Sequence, residues 1–264
     1  MKLPMYLIDA FANGVFTGNP AGVCPLERWL PDATMQSIAN ENNQAETAFF
    51  VPRAPGGPAT DYDLRWFTPE NEVDLCGHAT LASGFIVFTT LAPSRQDVTF
   101  HTKSGPLTVR RAGEDLSMDF PSRPPERIEP PAGLDTALGA TAREVWKSRD
   151  LMAVFDTERD VRALQPSFDG IRALGGFGLI ATAPGDEVDF VSRFFAPLQG
   201  VPEDPATGSS HCTLTPYWAK RLGRTSLHAR QLSKRGGELK CEDRGDRVTI
   251  AGRAVKYLEG VIVI

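Results

Sequence analysis

The chain has 264 residues, of which 41% are hydrophobic and 23% are charged, so it can bury one large core or two medium ones. Its formal net charge of -5 and its pI near 5.5 argue against nucleic acid or an anionic membrane as the main partner, because neither attracts a mildly acidic protein. A small solute is the expected ligand.

The N-terminal stretch MKLPMYLIDAF alternates like a β-strand and lacks the apolar segment of a signal peptide. We therefore expect a cytoplasmic protein. The four cysteines are widely spaced and form no CxxC pair, which argues against a zinc knuckle or a dense disulfide framework: Cys24, Cys76, Cys212 and Cys241.

Glu46 stands between two predicted elements. Residues 38–43 resemble the end of a helix, and residues 47–51 resemble a strand. A lone glutamate in this position is most simply a solvated carboxylate at the start of a strand. In a functional interpretation it is a general acid/base.

A glycine turn precedes the longest uncharged run of the chain, which extends from Gly77 to Pro93. At 17 residues, with several polar side chains, this run is too short and too polar to cross a bilayer. Apolar residues would lie on every side of a helix with this sequence, which predicts a buried helix.

The sequence contains an internal repeat. DLCGHATLAS, starting at Asp74, matches EDPATGSSHCTL, starting at Glu203, and Gly77 and Gly208 are 131 positions apart. The segments that follow also match, at an offset of 132, and read as hairpins with alternating apolar residues. Each half is therefore predicted to be one copy of the same fold unit.

These patterns predict an α+β fold with two pseudo-symmetric domains, each a curved, mostly antiparallel sheet or barrel around a central helix. The expected N-terminal domain is 1–120, and the proline-rich segment 121–133 is the expected linker. The expected C-terminal domain is 134–258, and a final strand at about 259–264 returns to the first domain. The cleft between the domains is the predicted ligand site.

Both glycine turns introduce a helix, whose first N–H groups and dipole favour an anion. Two such turns can hold a carboxylate and stabilise the charge of an enolate. The simpler alternative is that Asp74 and Asp204 are ordinary helix caps. The alignment of Gly77 with Gly208 pairs Cys76 with Thr207, which does not ionise near neutral pH.

Five segments closely resemble the phenazine biosynthesis PhzF-like family: NGVFTGNPAGVCPL (13–26), ENNQAETAFF (41–50), RWFTPENEVDLCGHATLA (65–82), SGPLTV (104–109) and GVPEDPATGSSHC (200–212). The resemblance runs essentially from end to end. It implies the diaminopimelate epimerase fold and a homodimer. It also implies a cofactor-free isomerase that moves a proton between carbons of a carboxylated substrate, such as trans-2,3-dihydro-3-hydroxyanthranilate.

The resemblance also implies roles for individual residues. Glu46 matches the glutamate that shuttles the proton, and His78 and Asp204 match residues that orient or polarise the substrate. The expected substrate-binding positions lie in the two turns: Gly77, Thr207, Gly208 and Ser209. No cofactor, metal, nucleic acid or membrane is expected to take part.

Epimerases of this fold use two thiols, one in each turn. Cys76 occupies the first position, but its counterpart is Thr207, and Cys212 lies five residues further on, inside the predicted helix. A single thiol cannot exchange protons on both faces of a carbon, so Cys76 is interpreted as a packed small residue. Glu46 is the expected proton carrier, and a double-bond shift is favoured over racemisation.

Three other interpretations remain. The first is a racemase or epimerase that uses Cys76, and the second is an inactive module that keeps the cleft for binding carboxylates or a protein. The third is a zinc site built from Cys76, His78, His211 and Cys212, although adjacent His211 and Cys212 rarely converge on one metal ion.

Overall fold

The computed structural model describes residues 1–53 and 61–264, which form two compact units. The first unit comprises Met1–Asp119 and Ala251–Ile264, and the second comprises Phe120–Ile250.

The elements follow one another along the chain as strands with a few intervening helices. The strands are β1 (Lys2–Ala10), β2 (Asn19–Pro25), β3 (Glu46–Pro52), β4 (Asp61–Phe67), β5 (Glu72–Val73), β6 (Asp97–Thr102), β7 (Gly105–Ala112), β8 (Asp115–Pro121), β9 (Glu126–Ile128), β10 (Glu144–Lys147), β11 (Leu151–Val154), β12 (Leu179–Pro184), β13 (Phe190–Phe195), β14 (Ser226–Gln231), β15 (Gly237–Asp243), β16 (Arg247–Gly252) and β17 (Ala254–Val263). The α-helices are α1 (Asp32–Asn42), α2 (Gly77–Ile86), α3 (Leu134–Leu138), α4 (Glu158–Ala163), α5 (Phe168–Leu174) and α6 (Gly208–Leu222).

The first unit is a mixed sheet around α2. Strand β1 is antiparallel to both β2 and β17, and β2 is parallel to β3. Strand β4 is antiparallel to β3 and parallel to β6, which begins the antiparallel run β6–β7–β8. Helix α2 packs against β1, β2, β3 and β7 and is buried on nearly all sides, as the uncharged run predicted. Its last part, Val87–Leu91, is a π-helical turn.

The second unit repeats this order of strand pairings. Strands β10 and β11 are antiparallel, β11 and β12 parallel, β12 and β13 antiparallel, β13 and β14 parallel, and β14 and β15 antiparallel. Helix α6 takes the place of α2 and packs against β14 and β15. The indole of Trp218 anchors it by donating to Thr182 Oγ1 at 3.0 Å and stacking on Phe190.

The predicted fold class is confirmed, since each unit is a mostly antiparallel sheet with one central helix. Two details differ from the predicted boundaries. The segment 121–133 contains β9, which pairs with β10, because Glu126–Ile128 lie between two pairs of prolines and keep their N–H groups. Residues 251–258 belong to the first unit, because β17 pairs with β1 along its length.

Among the described residues, no helix combines the length and the apolar character needed to cross a bilayer.

Gly84 brings α2 close to β7. A Cβ atom at this position would lie 2.7 Å from Cγ1 and 2.9 Å from Cβ of the buried Val109. We expect Gly84→Val to lower the free energy of unfolding of the first unit by about 1–3 kcal/mol, because a tightly packed core does not absorb the added atoms. Thermal unfolding followed by circular dichroism measures the change.

The matched control is Gly14→Ala, because a Cβ atom at Gly14 has no heavy atom within 4 Å. An unfolding midpoint for Gly84→Val that equals that of the control would contradict this description of the packing.

Candidate active site

Glu46 is the first residue of β3, which runs parallel to β2. Helix α1 ends at Asn42, and Asn43 reverses the chain in the left-handed conformation, with φ of 49°. A short turn then leads to Glu46, whose carboxylate is largely buried. The junction of helix and strand that the sequence indicated is therefore a tight connection that fixes this carboxylate.

No side-chain capping hydrogen bond is formed by the described residues at the N-terminus of α2. Cys76 is the N-cap in extended conformation, its side chain makes no capping hydrogen bond, and the first turn contains no acidic residue. Asp74 is exposed, and its carbonyl oxygen accepts from Ser104 Oγ at 2.8 Å. The alternative in which Asp74 caps α2 is not what the structure shows, so the N–H groups at this helix start remain available to an anion.

Three chemically active side chains meet at this point of the first unit. The ring of His78 lies between the other two, with Nε2 3.2 Å from Glu46 Oε2 and Nδ1 3.6 Å from Cys76 Sγ. The contact with Glu46 lacks the angle of a hydrogen bond, and neither atom has another partner within the described ranges. The carboxylate and the imidazole are thus close together, and these two atoms make no hydrogen bond to the described residues.

Burial and charge set the protonation states here. Burial, followed by the nearby Glu46 charge, raises the pKa of the Cys76 thiol to about 11. Burial also opposes a charge on His78, but the negative charges that Cys76 and Glu46 can carry outweigh it and raise the pKa of the imidazole. We therefore expect His78 to hold its proton beside Glu46.

The cysteines are expected to resist alkylation in the native protein. All four are free and buried, and burial raises the pKa of each thiol: to about 12 for Cys24 and Cys241, and to about 11 for Cys76 and Cys212. At pH 7.5 fewer than roughly one thiol in a thousand is then the reactive thiolate. Mass spectrometry after iodoacetamide treatment should show no adduct on the native protein and four in urea.

Rapid modification of Cys76 in the native protein would contradict this assignment. The urea sample is the control, because it shows that the reagent reaches every thiol once the fold is lost.

The second turn lies in the second unit and is tied by a buried glutamine. Gln231 Oε1 accepts from the backbone N–H of Thr207 at 2.9 Å, and its Nε2 donates to the carbonyl of Asp204 at 2.7 Å. Thr207 Oγ1 donates to Asp204 Oδ2 at 2.5 Å. The Asp204 carboxylate thus holds the N-cap hydroxyl of α6 and does not cap the helix itself.

The first turn of α6 contains predicted binding positions and one buried histidine. Gly208 and Ser209 open the helix after Thr207, which makes no capping hydrogen bond with its side chain. His211 Nδ1 lies 2.8 Å from the carbonyl of Thr207, and burial lowers the pKa of this imidazole to about 4. His211 is therefore neutral and holds the turn from inside the helix.

The two turns share their geometry and differ in chemistry. Cys76 and Thr207 are both N-cap residues in extended conformation, as the aligned glycines predicted. Equivalent ladders match Thr47–Pro52 with Leu179–Pro184, which makes Gly178 the counterpart of Glu46. A Cβ atom at Gly178 would lie 2.4 Å from the ring of Phe194, so packing excludes a side chain there. The first turn thus places a carboxylate 3.2 Å from an imidazole, whereas Gly178 and Ser209, at the equivalent positions of the second unit, carry neither group.

Glu46, Cys76 and His78 form the one group of three or more potential metal ligands that lies within 4.8 Å in the described part of the chain. No such group among the described residues includes His211 or Cys212, which gives no support to the four-residue zinc arrangement. The ligand types fit a divalent ion such as zinc.

Sequence reasoning missed Gln231. The only signal was a polar residue on the inward face of a strand, since Leu227, Ala229 and Gln231 alternate as buried positions of β14. A glutamine at such a position requires hydrogen-bond partners, and those partners are 24 and 27 residues away in the sequence.

Comparison with known proteins gives consistent results. The family model described as phenazine biosynthesis-like protein matches residues 8–260. A Pseudomonas aeruginosa protein named as an uncharacterized isomerase is 49% identical over 99% of both chains. The crystal structure of a phenazine biosynthesis protein of the PhzF family from Enterococcus faecalis superposes with a TM-score of 0.96, at 47% identity and full coverage of both chains.

A more remote likeness concerns the fold alone. The crystal structure of a hydroxyproline epimerase from Agrobacterium vitis superposes with a TM-score of 0.60 at 10% identity. The superposition covers 99% of this chain and 92% of the epimerase chain. The fold is therefore shared with a protein of very different sequence.

Proposed function

Because this chain belongs to the phenazine biosynthesis-like protein family and is an isomerase, we propose that it shifts a proton, and with it a double bond, on a small carboxylated substrate without a cofactor. Glu46 acts as the general acid/base. It takes a proton from one carbon, its carboxyl proton exchanges with solvent water, and it then delivers a proton to another carbon on the same face of the substrate. The substrate thus loses one proton and gains one, and its charge is unchanged. trans-2,3-Dihydro-3-hydroxyanthranilate is the first compound to test.

The observation that carries this proposal is the asymmetry of the two turns. In the first unit Glu46 lies 3.2 Å from His78, whereas the equivalent positions in the second unit hold Gly178 and Ser209. A reaction with one acid/base group fits a protein in which the carboxylate and imidazole of the first turn have no counterpart at the equivalent positions of the second.

The other predicted residues take binding roles in this proposal. Gly77, Gly208 and Ser209 bind the substrate through helix-start N–H groups and the Ser209 hydroxyl, which also stabilise enolate-like charge. Thr207, the fourth expected binding position, gives its N–H to Gln231 and its hydroxyl hydrogen to Asp204, so it contributes by shaping the turn. His78, protonated beside Glu46, polarises the substrate. Asp204 fixes the Thr207 hydroxyl at 2.5 Å and so orients the turn before α6.

A second candidate function is a racemase or epimerase that uses Cys76, because the thiol lies 3.6 Å from His78 Nδ1. The raised pKa of Cys76 argues against it, since a thiol with a pKa of about 11 is a poor source of thiolate at neutral pH. An inactive carboxylate-binding module is less favoured, since Glu46 and His78 are both in place.

Proton–deuterium exchange tests the proposal. The wild-type protein is incubated in D2O with the dihydro-hydroxyanthranilate and a panel of unsaturated carboxylic acids, and deuterium uptake is followed by NMR. Uptake with at least one acid, at a rate proportional to protein concentration, is the expected result. If none of the acids in the panel takes up deuterium, the inactive carboxylate-binding module is favoured instead.

A cytoplasmic location and a homodimer stay predictions. Size-exclusion chromatography with light scattering measures the molar mass in solution and so tests the predicted homodimer.

A further inference from the structure

Arg149 is held in a fixed position next to β11 in the second unit. Its Nε and Nη2 donate to the two carboxylate oxygens of Asp150, at 3.2 and 2.9 Å. The side chain of Asp150 is 0% exposed. A two-point ion pair with a buried carboxylate fixes the plane of the guanidinium.

The same guanidinium contacts the predicted binding residue of α6. Nη2 donates to Ser209 Oγ at 3.1 Å. Because the hydroxyl oxygen accepts this bond, the hydroxyl hydrogen is directed to another acceptor. Arg149 thereby makes Ser209 a donor, which is the role required to bind an anionic oxygen.

An aromatic ring covers one face of Arg149. The ring of Phe177 stands 4.1 Å from the guanidinium carbon, although the side chain is 41% exposed. It belongs to a glycine-rich loop in which Gly175 and Gly176 have φ of 71° and 85°. The contact is a cation–π interaction that limits the water around the cation.

A second arginine adds positive charge near this ion pair. The charges of Arg149 and Arg123 both act on the Asp150 carboxylate and on the Cys212 thiol. Nη1 of Arg123 is buried without a hydrogen-bond partner within the described ranges. Arg149 itself keeps 26% of its side chain exposed, and its Nη1 group makes no hydrogen bond to the described residues.

We propose that Arg149 binds the carboxylate of the substrate together with Ser209 and is the residue that selects acids over neutral analogues. This inference rests on the proposed function and adds a specific counter-ion to it. The free Nη1 hydrogens of Arg149 and the hydroxyl hydrogen of Ser209 are the donors. A rigid guanidinium recognises a carboxylate more strongly than helix-start N–H groups do alone.

Binding of anthranilate, an aromatic acid that cannot undergo the reaction, and of its amide 2-aminobenzamide tests the inference. Isothermal titration calorimetry is applied to the wild type, Arg149→Lys, Arg149→Gln and Ser209→Ala. Arg172→Gln is the matched control, because it removes a guanidinium that pairs with the exposed Asp169 on the surface of the same unit. The wild type should bind the acid at least about tenfold more tightly than the amide.

In Arg149→Gln this preference for the acid should disappear, in Arg149→Lys and Ser209→Ala it should shrink, and in Arg172→Gln it should be unchanged. Asp150 loses its partner in Arg149→Gln. If that variant does not fold for this reason, the acid preference of the wild type and its size in Arg149→Lys and Ser209→Ala still test the inference. Equal binding of acid and amide by the wild type, or an unchanged preference in a folded Arg149 variant, would overturn the inference.

The outcome also separates this inference from the proposed function. Arg149-dependent binding of anthranilate without deuterium exchange on any acid would keep the carboxylate site and refute the isomerase mechanism. Exchange that survives in Arg149→Gln with an unchanged KM would keep the mechanism and refute the role of Arg149.

Discussion

Glu46→Gln is expected to lower kcat for deuterium exchange by about 100-fold or more, because general acid/base groups contribute roughly 10²- to 10⁴-fold. Gln has nearly the same shape as Glu and cannot accept the proton. Its amide can still lie beside His78 Nε2, which Glu46 Oε2 approaches to 3.2 Å. We therefore expect KM and the unfolding midpoint to change little, and the loss to fall on kcat.

Glu41→Gln is the matched control, since Glu41 is an exposed residue of α1 only five positions away. It should leave both kinetic constants unchanged. A Glu46→Gln variant with more than a tenth of the wild-type kcat would remove Glu46 from the role of proton carrier.

Gln231→Leu is expected to destabilise the second unit by several kcal/mol. The side chain is 0% exposed and satisfies the N–H of Thr207 and the carbonyl of Asp204. Each buried polar group left without a partner costs about 1–3 kcal/mol. Because both groups belong to the turn before α6, we also expect a raised KM. Chemical denaturation and steady-state kinetics measure the two effects.

Gln199→Leu provides the comparison, because Gln199 is exposed in a short helical turn of the same unit. It should change the free energy of unfolding by less than about 0.5 kcal/mol, as is usual for surface substitutions. Equal stability of the two variants would show that the glutamine network does not hold the turn.

Much of the candidate site was visible in the sequence because it lies at the two aligned glycines. The offset of 131 between Gly77 and Gly208 correctly paired Cys76 with Thr207 as the N-caps of equivalent helices. The proximity of Glu46 to His78 came only from the resemblance, since strand β3 brings them together across 32 positions. The hydrophobic periodicity of a sequence predicts which face of a helix or strand is buried. It does not predict which buried faces pack against each other.

Other features depended on long-range pairing and could not be inferred. Arg149 reaches Ser209 across 60 positions, and the pattern around Arg149 is that of an ordinary turn before a strand. Strand β9 was missed because five prolines dominate 121–133, although three residues between them are free to pair with β10. The full length of β17 was missed because all of its residues are exposed or half-buried, so no alternation of buried and exposed positions marks the strand.

The central claim is that one carboxylate takes and returns the proton, and the position of the deuterium in the product tests it most directly. The product formed in D2O by the wild type and by Cys76→Ala is analysed by NMR. The account predicts deuterium on a different carbon from the one deprotonated, on the same face, with an unchanged rate in Cys76→Ala. Deuterium at the original carbon with inverted configuration, lost in Cys76→Ala, would contradict it and identify a racemase.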